Sequence, residues 1–495
     1  MPKITLSHKL ATLLLPAVLL LGTTPVAAEA PRHTSRSALP LDLGGLLGDT
    51  LALLDITAES VSWEQEGTNA ELHHVAAAVG ADDLHRRGIT GAGIGVALID
   101  TGVADVRGLE DVVRGPDLSL DSQFEEAWTR DLYGHGTHLA GILASDRPDV
   151  PGLASDATLV SVKVGATNGA VDVSQTIAAI DWVVQHRHEH NIRVLALAYG
   201  TDGTQDPIHD PLSHAIEVAW RHGIVVVVAA GNHGAIRDSV VNPALNPYVI
   251  AVGAVDTQGT SARLDDEVPA FSPTGTRQRR PDVFAPGVGI VSLQAPGGYL
   301  DTAYPHARQP DGRFRGNGTS QATMVVASAA ALLLQDRPEL SPDDVKQLLV
   351  RSSQGVSSLI SSTNMIDVEA ARSLRPRRAT QLFPPSRGDG SLELARGSMH
   401  IGVDGAWLDG ERDIHGRPFD SARWAAAAEA GTSWSNGRWN GSRWTSSGRI
   451  DHAWPGQTWQ GRSWSGWSWN GWSWNGWSWN GWSWNGWSWN AAEWR

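Results

Sequence analysis

Four short stretches of the chain carry residue types suited to proton transfer and nucleophilic attack, each at the start or end of a regular element. Val96-Ala97-Leu98-Ile99-Asp100-Thr101-Gly102 runs an apolar strand into a carboxylate and then a glycine. A buried strand ending this way delivers a charge to the carboxyl edge of a sheet, where open α/β sheets place their sites. In Tyr133-Gly134-His135-Gly136-Thr137-His138 the glycines leave space around His135 at a helix start. An imidazole there can accept a proton and be oriented by a carboxylate. Gly318-Thr319-Ser320-Gln321 opens an apolar helix through Leu334, so Ser320 projects its hydroxyl where free backbone N–H groups favour developing negative charge. Finally, Val225-Val226-Val227-Val228-Ala229-Ala230-Gly231-Asn232 is a buried strand ending in glycine and an amide that can point into a site.

Taken singly, each has a plainer reading. Asp100 caps a turn, Ser320 is an N-cap, and His135 with His138 share a metal, although no acidic ligand accompanies them on that face. His138 reads better as a structural hydrogen-bonding residue. Gly91, Gly93 and Gly95 precede their strand, whereas a pyrophosphate loop follows one, so no dinucleotide site is assigned. The four placements together are hard to obtain by accident.

The elements that must hold these residues follow from periodicity. From about His73 to Arg375, short β-branched runs alternate with helical stretches, which predicts an α/β fold with a mostly parallel sheet and helices on both faces. The predicted strands are 95–99, 158–164, 193–199, 224–230 and 248–252, each apolar enough to be buried on both sides. Ile177, Ile180 and Val184 recur at helical spacing, and Ser341, Pro342 and Asp344 make a helix start. At 495 residues the chain exceeds what one core usually organises. Its net charge of -14 argues against nucleic acid and anionic lipid as partners. The absence of cysteine removes thiol nucleophiles and zinc-thiolate sites.

On these residues, the segment from about His73 to Ser352 resembles the subtilisin-like (subtilase) serine peptidases, whose order Asp, His, Ser it shares. The resemblance implies Ser320 as nucleophile, His135 as the base that takes and returns its proton, Asp100 as the orienter of His135, and Asn232 as oxyanion donor beside the Ser320 N–H. Ala198, Tyr199 and Gly200 match the family's substrate-lining strand, where Tyr199 is expected to reshape the neighbouring subsite through its bulk. Protein or peptide substrates follow. Family members often carry Met after the nucleophile; Gln321 stands there, which predicts tolerance of peroxide. No metal or other cofactor is assigned, since no acidic loop matches the family's calcium sites well enough to transfer them. The alternative is a catalytically degenerate surface-binding protein on the same scaffold, against which the intact Asp100, His135, Asn232 and Ser320 argue.

Residues 1–30, with Lys3 and Lys9 before a short apolar run and small residues near Ala28, have the layout of a secretory signal peptide. A secreted, extracellular or wall-associated protein without a membrane span in its mature chain is expected. Residues 31–72 read as a linker or short pro-segment, 73–375 as the peptidase domain and 376–420 as a linker. Residues 421–495 form a tail with tryptophan at every fifth position from Trp434 to Trp494, except at Arg449, and with Trp424 in the same register. A period of five makes no helical stripe and alternates faces in a straight strand. The indoles share a side only if the chain turns once per repeat, for which Asn-Gly is suited. A row of indoles with serine and asparagine between them suits adhesion to glycan or cell envelope.

Overall fold

The computed structural model describes Trp63, residues 67–443 apart from 125–126, 235–238, 357–363, 378–380 and 404–405, and residues 459–461. The expected signal segment and most of the repeat tail lie outside the described residues.

The apolar runs become β1 (Gly95–Asp100), β3 (Thr158–Lys163), β4 (Ile192–Leu197), β5 (Val225–Ala229) and β6 (Ile250–Val255), with β2 (Val113–Asp117) and β7 (Val283–Pro286) at the flanks. They lie in one sheet in the order β7-β6-β5-β4-β1-β3-β2, every neighbouring pair parallel, extended past β7 by the short strands Asn364–Met365 and Gln354–Gly355. Parallel pairing demands crossovers, and the helices supply them. α1 (His135–Ala144) packs against α4 (Thr319–Asp336), while α2 (Val173–His186) packs against α3 (Pro211–Arg221). Strands so covered are buried from end to end, as their unbroken Val, Ile and Leu content anticipates. α5 (Pro342–Ser352) begins at the predicted cap: Ser341 Oγ accepts from Asp344 N at 3.2 Å, and Asp344 Oδ2 accepts from Ser341 N at 3.1 Å.

Both expected boundaries of the peptidase domain move outward. Ala70–Glu71 pairs parallel with Ile290–Val291, and the helix Leu72–Ala78 follows directly. Residues 376–420, expected as a linker, carry α6 (Leu392–Arg396), whose Arg396 is fully buried against Asp172 at the start of α2, Nε to Oδ2 2.6 Å. A buried guanidinium requires such a partner, and the pair ties this segment to α2.

The start of the tryptophan-rich region is likewise part of the core. Trp424 lies in α7 (Ser421–Glu429) and donates Nε1–H to Asp181 at 2.8 Å. Strands β8 (Trp434–Ser435), β9 (Arg438–Trp439) and β10 (Ser442–Arg443) form a narrow antiparallel meander with Trp434 opposite Trp439. Its turns are Asn436-Gly437 (φ 51° and 71°) and Asn440-Gly441 (φ 45° and 78°). Left-handed backbone at both central residues suits a tight hairpin, and Asn-Gly supplies it. Trp439 Nε1 donates to Asp181 at 2.7 Å and Trp434 Nε1 to the Ala178 carbonyl at 2.9 Å, so both indoles lie against α2.

Candidate active site

β1 ends at Asp100 on the carboxyl edge of the sheet, and α1 begins at His135 beside it. His135 Nδ1 lies 2.9 and 3.0 Å from the two Asp100 carboxylate oxygens, with both side chains buried. Next to a carboxylate that nitrogen holds the proton and donates it, which leaves Nε2 as the acceptor. The close approach needs Gly136, because a Cβ there would fall 2.1 Å from the Gly102 carbonyl oxygen.

Asp131, which sequence reasoning missed, ties the two elements together. Its Oδ1 accepts from Thr101 Oγ1, Tyr133 N and Gly134 N at 2.9, 3.1 and 2.6 Å. Its Oδ2 accepts from Thr137 N and Oγ1 at 2.7 and 2.6 Å, and Thr101 Oγ1 accepts from Gly136 N at 2.9 Å. Burial pushes the Asp131 carboxyl up, against these hydrogen bonds, which favour its charged form. The signal was present as a carboxylate four residues before His135, but nothing local distinguishes it from a loop aspartate.

Ser320 occupies the first turn of α4, where backbone N–H groups have no partner within their own helix. Asn232 follows β5, and its Oδ1 accepts from Thr319 N at 2.8 Å and Thr319 Oγ1 at 2.9 Å. With the oxygen held there, the amide presents its N–H donors to the cavity on which Ser320 opens. Ala198, Tyr199 and Gly200 line the same cavity. The sequence-predicted residues therefore converge as two groups at one sheet edge: the Asp100–His135 pair, and Ser320 with Asn232 and the 198–200 segment.

Two expectations are corrected here. Tyr199 does not shape the cavity with its bulk, because its phenol is buried toward Thr176, Asp172 and Arg396, and that burial pushes its pKa up. Alternation along an extended strand sends Ala198 and Gly200 to one side and Tyr199 to the other. His138 is not a hydrogen-bonding residue: neither ring nitrogen has a partner among the described residues. Burial, with the charge of His135 second, holds its imidazole down at about 3. It packs edge-on to Trp63 at 5.4 Å, and Trp63 also stands edge-on to His135 at 6.4 Å. A Cβ on Gly316 would lie 2.7 Å from that indole, so the glycine makes room for a tryptophan arriving from the segment expected to be a linker.

Among the described residues, no group of three or more His, Asp or Glu side chains is arranged to hold a metal ion. One oxygen-lined cage near the site holds an ammonium: Lys163 Nζ donates to Asp121 Oδ2, Ala127 O and Arg130 O at 3.2, 3.0 and 2.8 Å.

The subtilase family model matches residues 91–381. Serine protease AprX of Bacillus subtilis (strain 168) is 37% identical over 283 residues, which are 54% of this chain and 63% of AprX, less than two thirds of that relative. Subtilisin DY of Bacillus licheniformis is 32% identical over 296 residues, 59% of this chain and 95% of the relative. The crystal structure of a cold adapted subtilisin-like serine proteinase aligns with a TM-score of 0.44 at 28% identity, covering 56% of this chain and 90% of that one. α6, α7 and the meander lie beyond the matched residues.

Proposed function

The chain belongs to the subtilase family of serine peptidases, and from that premise we propose that it is a secreted serine endopeptidase using Asp100, His135, Ser320 and Asn232. Ser320 Oγ attacks the carbonyl carbon of the scissile bond while His135 Nε2 takes the hydroxyl proton. Asp100, bonded to Nδ1–H, holds the ring in the productive tautomer and stabilises the imidazolium. The carbonyl oxygen becomes an oxyanion, met by the Asn232 amide and the Ser320 N–H. The C–N bond breaks as His135 returns the proton to the leaving amine. Water then attacks the acyl-enzyme, again losing its proton to His135, and Ser320 is restored.

The observation that carries this reading is the buried Asp100–His135 pair, at 2.9 and 3.0 Å, on the sheet edge where α4 presents Ser320. Casein digestion by the full chain tests it: wild type should release peptides continuously and Ser320→Ala essentially none. Equal release by both would remove the proposed nucleophile.

The indoles of Trp424, Trp434 and Trp439 are committed to Asp181 and Ala178, so adhesion to glycan or cell envelope falls to the tryptophans of residues 444–495. Retention on cell-wall material should drop on truncation after residue 443. Unchanged retention would refute the adhesive role.

A further inference from the structure

The cavity that opens on Ser320 and Asn232 has Val241 in its lining. The valine's two methyls face Gly200 and Gly231. A Cβ on Gly200 would lie 2.4 Å from its Cγ2, and one on Gly231 would lie 2.8 Å from its Cγ1. With a methyl against each glycine, the valine has no side to swing towards. Its backbone is held as closely: Val241 N donates to Ala230 O at 3.1 Å, and Thr201 and Asn242 exchange both backbone bonds at 2.8 and 3.1 Å. The space that remains has room for roughly one water molecule.

What backs Val241 comes from beyond the residues matched by the family. Met399 packs on it in a small apolar cluster of their own. The segment carrying Met399 is pinned to the stretch that follows the cavity wall. Thr201 Oγ1 donates to Ala395 O at 2.6 Å, and Ser398 donates from N and Oγ to the Asp202 carboxylate at 2.7 and 2.6 Å.

We infer that Val241, braced by Met399, closes the acyl-side pocket and restricts cleavage to bonds that follow glycine or alanine. This rests on the peptidase reading above. The residue whose carbonyl Ser320 attacks has its oxygen at the Asn232 amide and its leaving amine at His135, so its side chain enters the cavity beside Asn232. A methyl fits there. A leucine or phenylalanine side chain overlaps the methyls of Val241, and the packing behind them leaves the valine nowhere to retreat.

The test uses the full chain and peptides that differ only in the residue before the scissile bond: alanine, leucine or phenylalanine. Wild type should prefer alanine over phenylalanine in kcat/KM by roughly a hundredfold. Val241→Gly should reverse the order, and Met399→Ala, which leaves the cavity lining intact, should raise leucine relative to alanine. Wild type cleaving phenylalanine as fast as alanine, or both variants keeping the wild-type ratio, would overturn the inference. Fluorophosphonate labelling alongside separates the two levels. Labelled enzyme with a flat preference overturns this inference alone, whereas no label and no cleavage of any peptide overturns the peptidase reading and this inference with it.

Discussion

At Asn232 the orientation of one amide decides whether the site offers a donor or an acceptor to a developing oxyanion. Thr319 settles it by donating twice to Oδ1, so the N–H group is what remains for the substrate. Losing such an amide in subtilisin costs about 10²–10³ in turnover. Asn232→Ala should fall in that range in kcat with KM little changed, and steady-state kinetics would check it; a loss below threefold would mean that another group bears the charge. Asp100, His135, Ser320 and Asn232 were legible because each ends a strand or begins a helix, which sequence periodicity reveals. Asp131, Trp63 and Val241 were not, because each matters through a partner distant in sequence. The inward turn of Tyr199 was also hidden: its size was visible, but its side of the strand depends on register.

Among the elements, α2 is the one on which the C-terminal segment converges. Arg396 meets Asp172 at its start, while Trp424 and Trp439 meet Asp181 two turns along. Burial pushes the Asp181 carboxyl up to about 6, opposed by the bonds from Trp424, Trp439 and Ser433. A carboxyl whose pKa is raised on folding binds more protons in the folded state, so its contribution to stability is full below its ordinary pKa and is lost as pH rises through about 6. The loss is on the order of 3 kcal/mol. Asp181→Asn keeps an acceptor for the indoles and cannot ionise. In denaturant unfolding it should gain on wild type between pH 4 and pH 8, and a difference independent of pH would contradict the argument. Left-handed Asn-Gly turns appear at Asn436-Gly437 and Asn440-Gly441, while Asn470-Gly471 and its later copies, for which the turn is expected, lie outside the described residues. That the first indoles would lie against a helix more than two hundred residues earlier was not legible in the sequence, because a period specifies sidedness and never a partner.

For the molecule as a whole, the peptidase fold extends past the residues matched by its family and includes α6, α7 and the first rungs of the tryptophan region. Truncation after residue 461, which keeps the strand Trp459–Gly461 paired antiparallel with Ile401–Val403, should therefore leave thermal stability nearly unchanged. Truncation after residue 390 strips Leu392, Ala395, Trp424, Ala425, Trp434 and Trp439 from the hydrophobic core and should cost several kcal/mol. Equal melting temperatures for the two truncated chains would show the segment to be an appendage. The central claim is that one sheet edge assembles a nucleophilic serine from strand ends and helix starts spread over more than two hundred residues. Its most direct measurement is labelling of the full chain with a fluorophosphonate, followed by peptide mapping. The adduct should sit on Ser320 alone, disappear in Ser320→Ala, and form far more slowly in His135→Ala. A folded wild-type chain that takes no label, or takes it at another serine, would contradict the account.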